Sequence, residues 1–234
     1  MKRLIVNADD FGQSPGINEG IIHCHEHGIL TSASLMVRWP DAAAAASYAR
    51  RTPALSVGLH IDLGESTWAG GEWVTRYAVT DLEDSRLVAE EIHRQLDTFR
   101  RLMDADPTHL DSHQHVHRSA PIDAIVAGLG TGLRIPVRHA GRRVAYDGSF
   151  YGQGSKGEAL ENAITADRLI TILRALPVGT TELGCHPGLR DDAGGMYVAE
   201  RLHEVRALCD PRVRHAIAEA NIELISFRDA WAHQ

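Results

Sequence analysis

The sequence predicts an α/β fold, a distorted or incomplete TIM-like (β/α) barrel of mainly parallel strands. Three observations predict it. Short apolar runs of strand type alternate with helical patterns along the chain, which implies βα units and a parallel sheet. About seven such strands fit into 234 residues, which suits an irregular barrel better than a flat doubly wound sheet. Four polar motifs fall at or near C-terminal strand ends, where barrels and open α/β sheets place their active sites. One catalytic domain spanning residues 1–234 is expected.

The elements follow in order. Leu4, Ile5 and Val6 form an apolar run ending at Asn7, a buried parallel strand. Residues 16–27 read as a helix, with Ile17, Ile21 and Ile22 on one side and Gly28 as its stop. Residues 32–37 are a second strand, followed by Pro40 and an Ala-rich helix to Arg51. In the third strand, residues 55–63, alternation puts Val57, Leu59, Ile61 and Leu63 on one face and Gly58, His60 and Asp62 on the other. Residues 64–80 hold Trp68, Gly70, Gly71, Trp73 and Tyr77 without clear periodicity. They read as a long loop, either a lid or a surface excursion with its own apolar cluster. Residues 84–103 are the clearest amphipathic helix: Val88, Ile92, Leu96 and Phe99 share a face, and Glu90, Glu91, Arg94 and Arg100 lie mostly off it. Beyond it come a short strand at 108–111, a helix at 121–129, a strand-like run at 133–138 and an irregular stretch at 139–157. Then follow a helix within 159–175, a strand at 180–184, helices at 197–209 and 213–220, and a last strand at 222–226.

A formal charge of −7 argues against general affinity for nucleic acid or anionic lipid. The cysteines, Cys24, Cys185 and Cys209, are odd in number and form no CxxC, which argues against a disulfide framework and for a reducing compartment. The first apolar run is too short for a signal peptide, and no run is long enough to span a bilayer. A cytoplasmic protein is expected, with homodimerisation left open.

The chemistry lies in four motifs. Asp9-Asp10 follows the first strand; one Asp can bind a metal while the other faces the reacting water, and the plainer alternative is a helix cap or turn carboxylate. Two carboxylates at a buried strand end need compensating charge. Lys2 and Arg3 sit at the wrong end of the strand to supply it, and a divalent cation would. His60 points to the inner face of the third strand and reads as a ligand. The segment 109–117 carries His109, Asp111, His113, His115 and His117. His113 is assigned as the ligand. Asp111 and His115 are placed behind the ligands: Asp111 would orient an imidazole through its second nitrogen, and the alternative for His115, shared with His117, is to touch substrate or cap the next helix. His186, in Gly184-Cys185-His186-Pro187-Gly188, suits a general acid. One carboxylate and two imidazoles from separate strand ends make a three-ligand divalent-metal site with open positions, pointing to a metal-dependent hydrolase. The tract His23-Cys24-His25-Glu26-His27 reads as a helix face rather than a metal centre.

VNADDFG, GLHIDL, THLDSHQHVH and CHPG, in this order over nearly the whole chain, resemble the YdjC/ChbG-like carbohydrate deacetylases. The resemblance implies a distorted TIM-like barrel that removes acetyl groups from N-acetylated sugars such as chitooligosaccharides, with one divalent metal, usually magnesium. It implies Asp10, His60 and His113 as metal ligands, Asp9 as general base and His186 as acid. The nitrogen-rich donor set suits zinc, manganese, cobalt or nickel at least as well as magnesium. On a sugar substrate, Trp68, Trp73 or Tyr151 would stack on a ring and Arg138 would hydrogen-bond hydroxyls or carboxylates. The alternatives are a metal-dependent phosphoesterase, for which His115 and His117 leave room, and a catalytically silent sugar-binding barrel.

Overall fold

Parallel pairing organises the chain. The computed structural model describes residues 1–141, 143–190, 192 and 194–231. In chain order the elements begin β1 (Lys2–Phe11), α1 (Pro15–His27), β2 (Ser32–Leu35), α2 (Ala42–Arg51), β3 (Ser56–Ile61), β4 (Gly64–Ala69), β5 (Glu72–Ala78) and α3 (Ser85–Met103). They continue with β6 (Leu110–Ser112), α4 (Ile122–Leu133), β7 (Val144–Asp147), α5 (Ala166–Ala175), β8 (Gly179–Cys185), α6 (Ala199–Leu208), α7 (Pro211–Glu219), β9 (Ile222–Leu224) and α8 (Phe227–Trp231). Seven strands form one sheet in the order β6-β3-β2-β1-β8-β7, with β9 added on β1. One edge of β1 pairs with β8 from Lys2 to Ala8. Its other edge is shared: β9 takes Lys2 to Leu4, and β2 takes the stretch from Asn7 onward.

The sheet is curled. Four strand steps separate β6 from β8, roughly 19 Å in a flat sheet at about 4.8 Å per step. Yet one nitrogen, Arg138 Nη2, lies 2.8 Å from Asp111 on β6 and 2.6 Å from Glu182 on β8. Only curvature brings those strands around a common interior. A single parallel rung, Leu110 to Val137, extends the sheet beyond β6 and carries Arg138 to that interior. This is the incomplete barrel that the alternation of strands and helices predicts.

Most helices form where periodicity places them, but α4 runs on to Leu133, so the run expected as a strand at 133–138 keeps only the rung at Val137, and β7 lies within the stretch 139–157 expected to be irregular. In α1, the Ser14 hydroxyl accepts from the Ile17 N–H, Pro15 occupies the first turn, and Gly28 ends the helix. In α3, the Asp84 carboxylate caps the N–H groups of Arg86 and Leu87, and Val88, Ile92, Leu96 and Phe99 are buried. Glu91, expected off that face, is buried and accepts from Gln95. Among the described residues no helix is long and apolar enough to cross a membrane.

Residues 64–80 correct the sequence expectation. They are not a loop but the antiparallel pair β4–β5, turning through Gly70 and Gly71, both at positive φ. Trp68 and Trp73 face each other across the pair, rings edge to face at 5.7 Å. The hairpin is tied down at its base by Tyr77, whose hydroxyl donates to buried Asp62, and by Gln114, which exchanges two hydrogen bonds with the Ser66 backbone.

Gly20 on α1 meets the Gly188 backbone so closely that a Cβ would stand 2.4 Å from the Gly188 Cα, whereas a Cβ on Gly128 of α4 meets nothing. Gly20→Ala is therefore expected to cost about 1–3 kcal/mol by overpacking. Gly128→Ala should be neutral or gain about 0.5–1 kcal/mol from helix propensity. Urea denaturation midpoints of the two variants check the contrast.

Candidate active site

The centre is built at the C-terminal ends of β1, β3, β6 and β8. In an extended strand Asp9 and Asp10 would point to opposite faces. Asp10 instead takes φ +67°, a left-handed conformation that Asp tolerates, so both carboxylates reach the same rim. Each meets its own arginine. Arg138 forks onto Asp9, with both contacts at 2.7 Å, and Arg201 of α6 donates to Asp10 Oδ2 at 2.7 Å. The charge expected from a metal alone is thus supplied in part by two guanidinium groups.

The remaining oxygen, Asp10 Oδ1, faces His113 Nδ1 at 3.1 Å and His60 Nε2 at 3.6 Å. These three residues offer ligand atoms all within 4.8 Å of one another. Asp111 Oδ1 accepts from His60 Nδ1 at 2.8 Å, which orients the ring so that Nε2 faces Asp10. In the metal-free centre that nitrogen carries a proton towards Asp10, and His113 Nε2 is buried without a protein partner. A cation held by Asp10 Oδ1, His60 Nε2 and one nitrogen of His113 would take the proton's place, so the donor set fits a divalent metal. A second group, Asp9, His60 and Asp111, is also close enough. There Arg138 already serves as the cation, bonded to both carboxylates.

The other histidines separate by role. His186 Nε2 stands 3.7 Å from Asp9 Oδ2, and its ring packs against Tyr151 and Tyr197. Its backbone N–H donates to the buried Glu204 of α6, which also accepts from the Tyr197 hydroxyl. His117 has both nitrogens engaged, by the Ser112 hydroxyl and the Arg138 carbonyl, so it cannot help to hold a second metal. His109 is buried, stacked on Phe227 at 3.8 Å and bonded to Ser34. Gln114 and His115, both at positive φ, form the turn that follows His113.

A cavity of about 740 Å³ opens onto this centre, lined among others by Asp9, Asp10, Gln13, His60, Trp73, His113, His115, Tyr151, His186 and Arg201. Two expectations are corrected here. Arg138 does not face substrate; it is buried with its donors on Asp9, Asp111 and Glu182. His115 does not stand behind a ligand; it lines the cavity, with its rings' neighbours being Tyr146, His117 and His139. Trp73 and Tyr151 do line the cavity, and Trp68 packs behind Trp73. The sequence reading missed Arg201, Glu204, Gln13 and Glu182. For α6 a signal was available: Arg201, Glu204 and Leu208 recur at helical spacing on a buried face that a plain surface helix would fill with apolar residues.

The electrostatics follow from burial and these pairs. Burial alone would raise the Asp10 carboxyl, but Arg201 and His113 hold it well below the usual range. Burial likewise opposes ionisation of Asp9, and Arg138 outweighs it. Burial lowers His60, but Asp111 and Asp9 push it up to about 9. Burial draws His186 and His109 down to about 4 and His115 to about 3. Burial raises Glu182 to about 7 and Glu204 to about 8.

Fold and site together define a curled-sheet α/β protein with a buried acid–imidazole centre open to a deep cavity. The family model for "YdjC-like protein" matches residues 3–219, and the chain belongs to that family. It is 34% identical to a chitooligosaccharide deacetylase from Serratia marcescens, over 97% of this chain and 99% of that one. It is 32% identical to a carbohydrate deacetylase from Geobacillus stearothermophilus, over 97% of each. Among solved structures, an Enterococcus faecalis protein with a suggested role in cellobiose-phosphate cleavage superposes with a TM-score of 0.78 at 24% identity, over 97% of this chain and 98% of that one. A family 4 acetyl xylan esterase from Clostridium thermocellum, solved with a cobalt ion, gives 0.54 at 11% identity over 99% and 91%. These two likenesses show a shared fold.

The shifted groups set a two-sided pH dependence for the metal-free protein. Glu182, Glu204 and His60 are raised on folding, so the stability they contribute is full below their ordinary values of 4.5 and 6.5. It is lost as pH climbs through about 7, 8 and 9. His109, His115 and His186 are lowered, so theirs is present above 6.5 and lost as pH falls towards about 4. Stability should peak near pH 6.5, each unbalanced proton contributing a slope of about 1.4 kcal/mol per pH unit. Urea midpoints measured with chelator from pH 5 to 9 check this; a monotonic profile contradicts it.

Proposed function

We propose that the chain hydrolyses the acetamide of an N-acetylated sugar of the chitooligosaccharide type, acting as a single catalytic domain. It is a carbohydrate deacetylase, a hydrolase acting on an amide. The observation that carries this reading is the convergence of Asp9, Asp10, His60, His113 and His186 on one cavity, in a chain matching named carbohydrate deacetylases over nearly its full length. Three free cysteines are in keeping with a cytoplasmic location.

Asp10, His60 and His113 would hold one divalent ion. Two imidazoles and a carboxylate favour zinc, manganese, cobalt or nickel over magnesium, which prefers oxygen donors. Such an ion polarises a bound carbonyl and lowers the pKa of a bound water. The rest of the work falls to the protein. Asp9, ionised and locked in orientation by Arg138, accepts the proton of the attacking water. His186 is neutral at pH 7, so it holds no proton of its own to spare for the leaving amine. Its Nε2 faces Asp9 Oδ2, and we assign the transfer from Asp9 to His186 to that gap of 3.7 Å. His186 then gives that proton from Nε2, the ring nitrogen on the Asp9 side, to the departing amine and returns to its neutral form. Trp73 and Tyr151 offer ring faces to a sugar at the cavity wall.

Acetate release from N-acetylated mono- and oligosaccharides tests the reading, using protein stripped of metal and reloaded with one ion at a time. Release should depend on metal. Asp9→Asn should lower turnover by roughly 10²–10⁴ with metal content preserved, whereas His60→Ala should lose the metal. Full turnover in Asp9→Asn removes Asp9 from the mechanism.

A further inference from the structure

Arg201 is assigned no part by anything in the sequence motifs, yet it holds more of the centre than any other residue of α6. Its side chain is buried and its donors diverge. Nη2 donates to Asp10 Oδ2 at 2.7 Å, Nη1 to the His186 carbonyl at 3.2 Å and Nε to the Tyr197 carbonyl at 2.9 Å. Its own carbonyl accepts from the Gly188 N–H at 3.3 Å. One side chain therefore touches the carboxylate that faces His60 and His113, and also the backbone of the residue beside Asp9.

We propose that Arg201 is a positioning residue that restricts Asp10 to one donor oxygen and fixes the His186 loop in register with that oxygen. This inference rests on the metal reading of Asp10, His60 and His113. The geometry gives its reasons. A carboxylate can offer both oxygens to a cation, but Asp10 Oδ2 is committed to a guanidinium, so only Oδ1 remains towards the two imidazoles. The guanidinium is also a resident cation that competes with any metal for Asp10. The centre thus accepts weaker metal binding in exchange for a fixed ligand mode. The planar fork matters as well as the charge. An ammonium is a point charge on a flexible stem and would keep the Asp10 contact without reproducing the divergent bonds to the His186 and Tyr197 carbonyls.

A purely structural role predicts that removing Arg201 loosens the site and weakens metal binding. The positioning role predicts the reverse for the metal and a loss for the chemistry. The test is cobalt titration of the full chain, read by calorimetry and by the visible spectrum of the bound ion, beside acetate-release kinetics. In Arg201→Met, cobalt should bind several-fold tighter, and its spectrum should shift as Asp10 gains a second donor oxygen. The turnover number should fall on the order of 10-fold to 10²-fold, as expected for a misplaced group. Unchanged or weaker binding with an unchanged spectrum in folded Arg201→Met overturns the proposal. Arg201→Lys keeps the experiment decisive if the Met variant does not fold. It should show wild-type cobalt affinity and spectrum with turnover still reduced, and full turnover in it overturns the proposal. Failure of the wild-type protein to take up cobalt overturns the metal reading itself, and this inference with it.

Discussion

A single buried guanidinium draws four parts of the chain together. Arg138 reaches Asp9 on β1, Asp111 on β6 and Glu182 on β8 from the segment that follows α4. Replacing such a buried network by apolar residues is often neutral, whereas removing one partner costs about 3–5 kcal/mol because it strands the others. Its contribution is therefore less to net stability than to shape. The guanidinium can satisfy three carboxylates only if the sheet curls, and the curl turns the strand ends inward around one centre. Its own carbonyl is held by His117, which is held in turn by Ser112. The orientation of Asp9 thus depends on a chain of contacts running back into the His-rich turn.

The two adjacent aspartates are separated by their partners. Both are buried, both stand at the end of one strand, and without distinct surroundings they would share one ionisation problem. Arg138 takes both oxygens of Asp9, while Arg201 takes one oxygen of Asp10 and leaves the other towards His60 and His113. Burial disfavours both charges, and each arginine restores one of them. Identical side chains one residue apart thereby acquire different exposed lone pairs, which is what distinct roles in one reaction require.

Much of this was legible in the sequence, for physical reasons that also explain what was not. Buried parallel strands such as residues 4–6 announce themselves as apolar runs, and α3 by its spacing of Val88, Ile92, Leu96 and Phe99. The convergence of one aspartate of the Asp9-Asp10 pair with His60 and His113 followed from one rule, that strand C-termini share a rim; the choice of Asp10 came from the family resemblance. The hairpin β4–β5 was missed because neither of its faces packs on the main core, so alternation of burial never develops; only Gly70-Gly71 marked the turn. Arg138 was misread because an arginine at a strand end is usually solvated. Its burial comes from Glu182, forty-four residues later in the chain, a contact that only the curl creates. Glu182 escaped for the same reason, since nothing in its short strand distinguishes a buried glutamate from an exposed one, whereas Glu204 had the helical spacing of Arg201 and Leu208 to mark it.

The polar atoms left without partners in the interior gather at the centre. A buried donor or acceptor without a partner costs about 1–3 kcal/mol. Among the described residues five side-chain atoms are in that condition, and four of them belong to residues lining the cavity: Gln13 Oε1, His113 Nε2, His115 Nδ1 and His186 Nδ1. They cluster in the residues of the centre instead of being spread through the core, which is the pattern of a site selected for something besides stability. The cavity wall joins these polar residues to the aromatic rings of Trp73 and Tyr151. A wall of that mixed kind would suit the hydroxyls and apolar C–H faces of a sugar ring better than a purely apolar molecule, in keeping with the carbohydrate deacetylases that the chain matches.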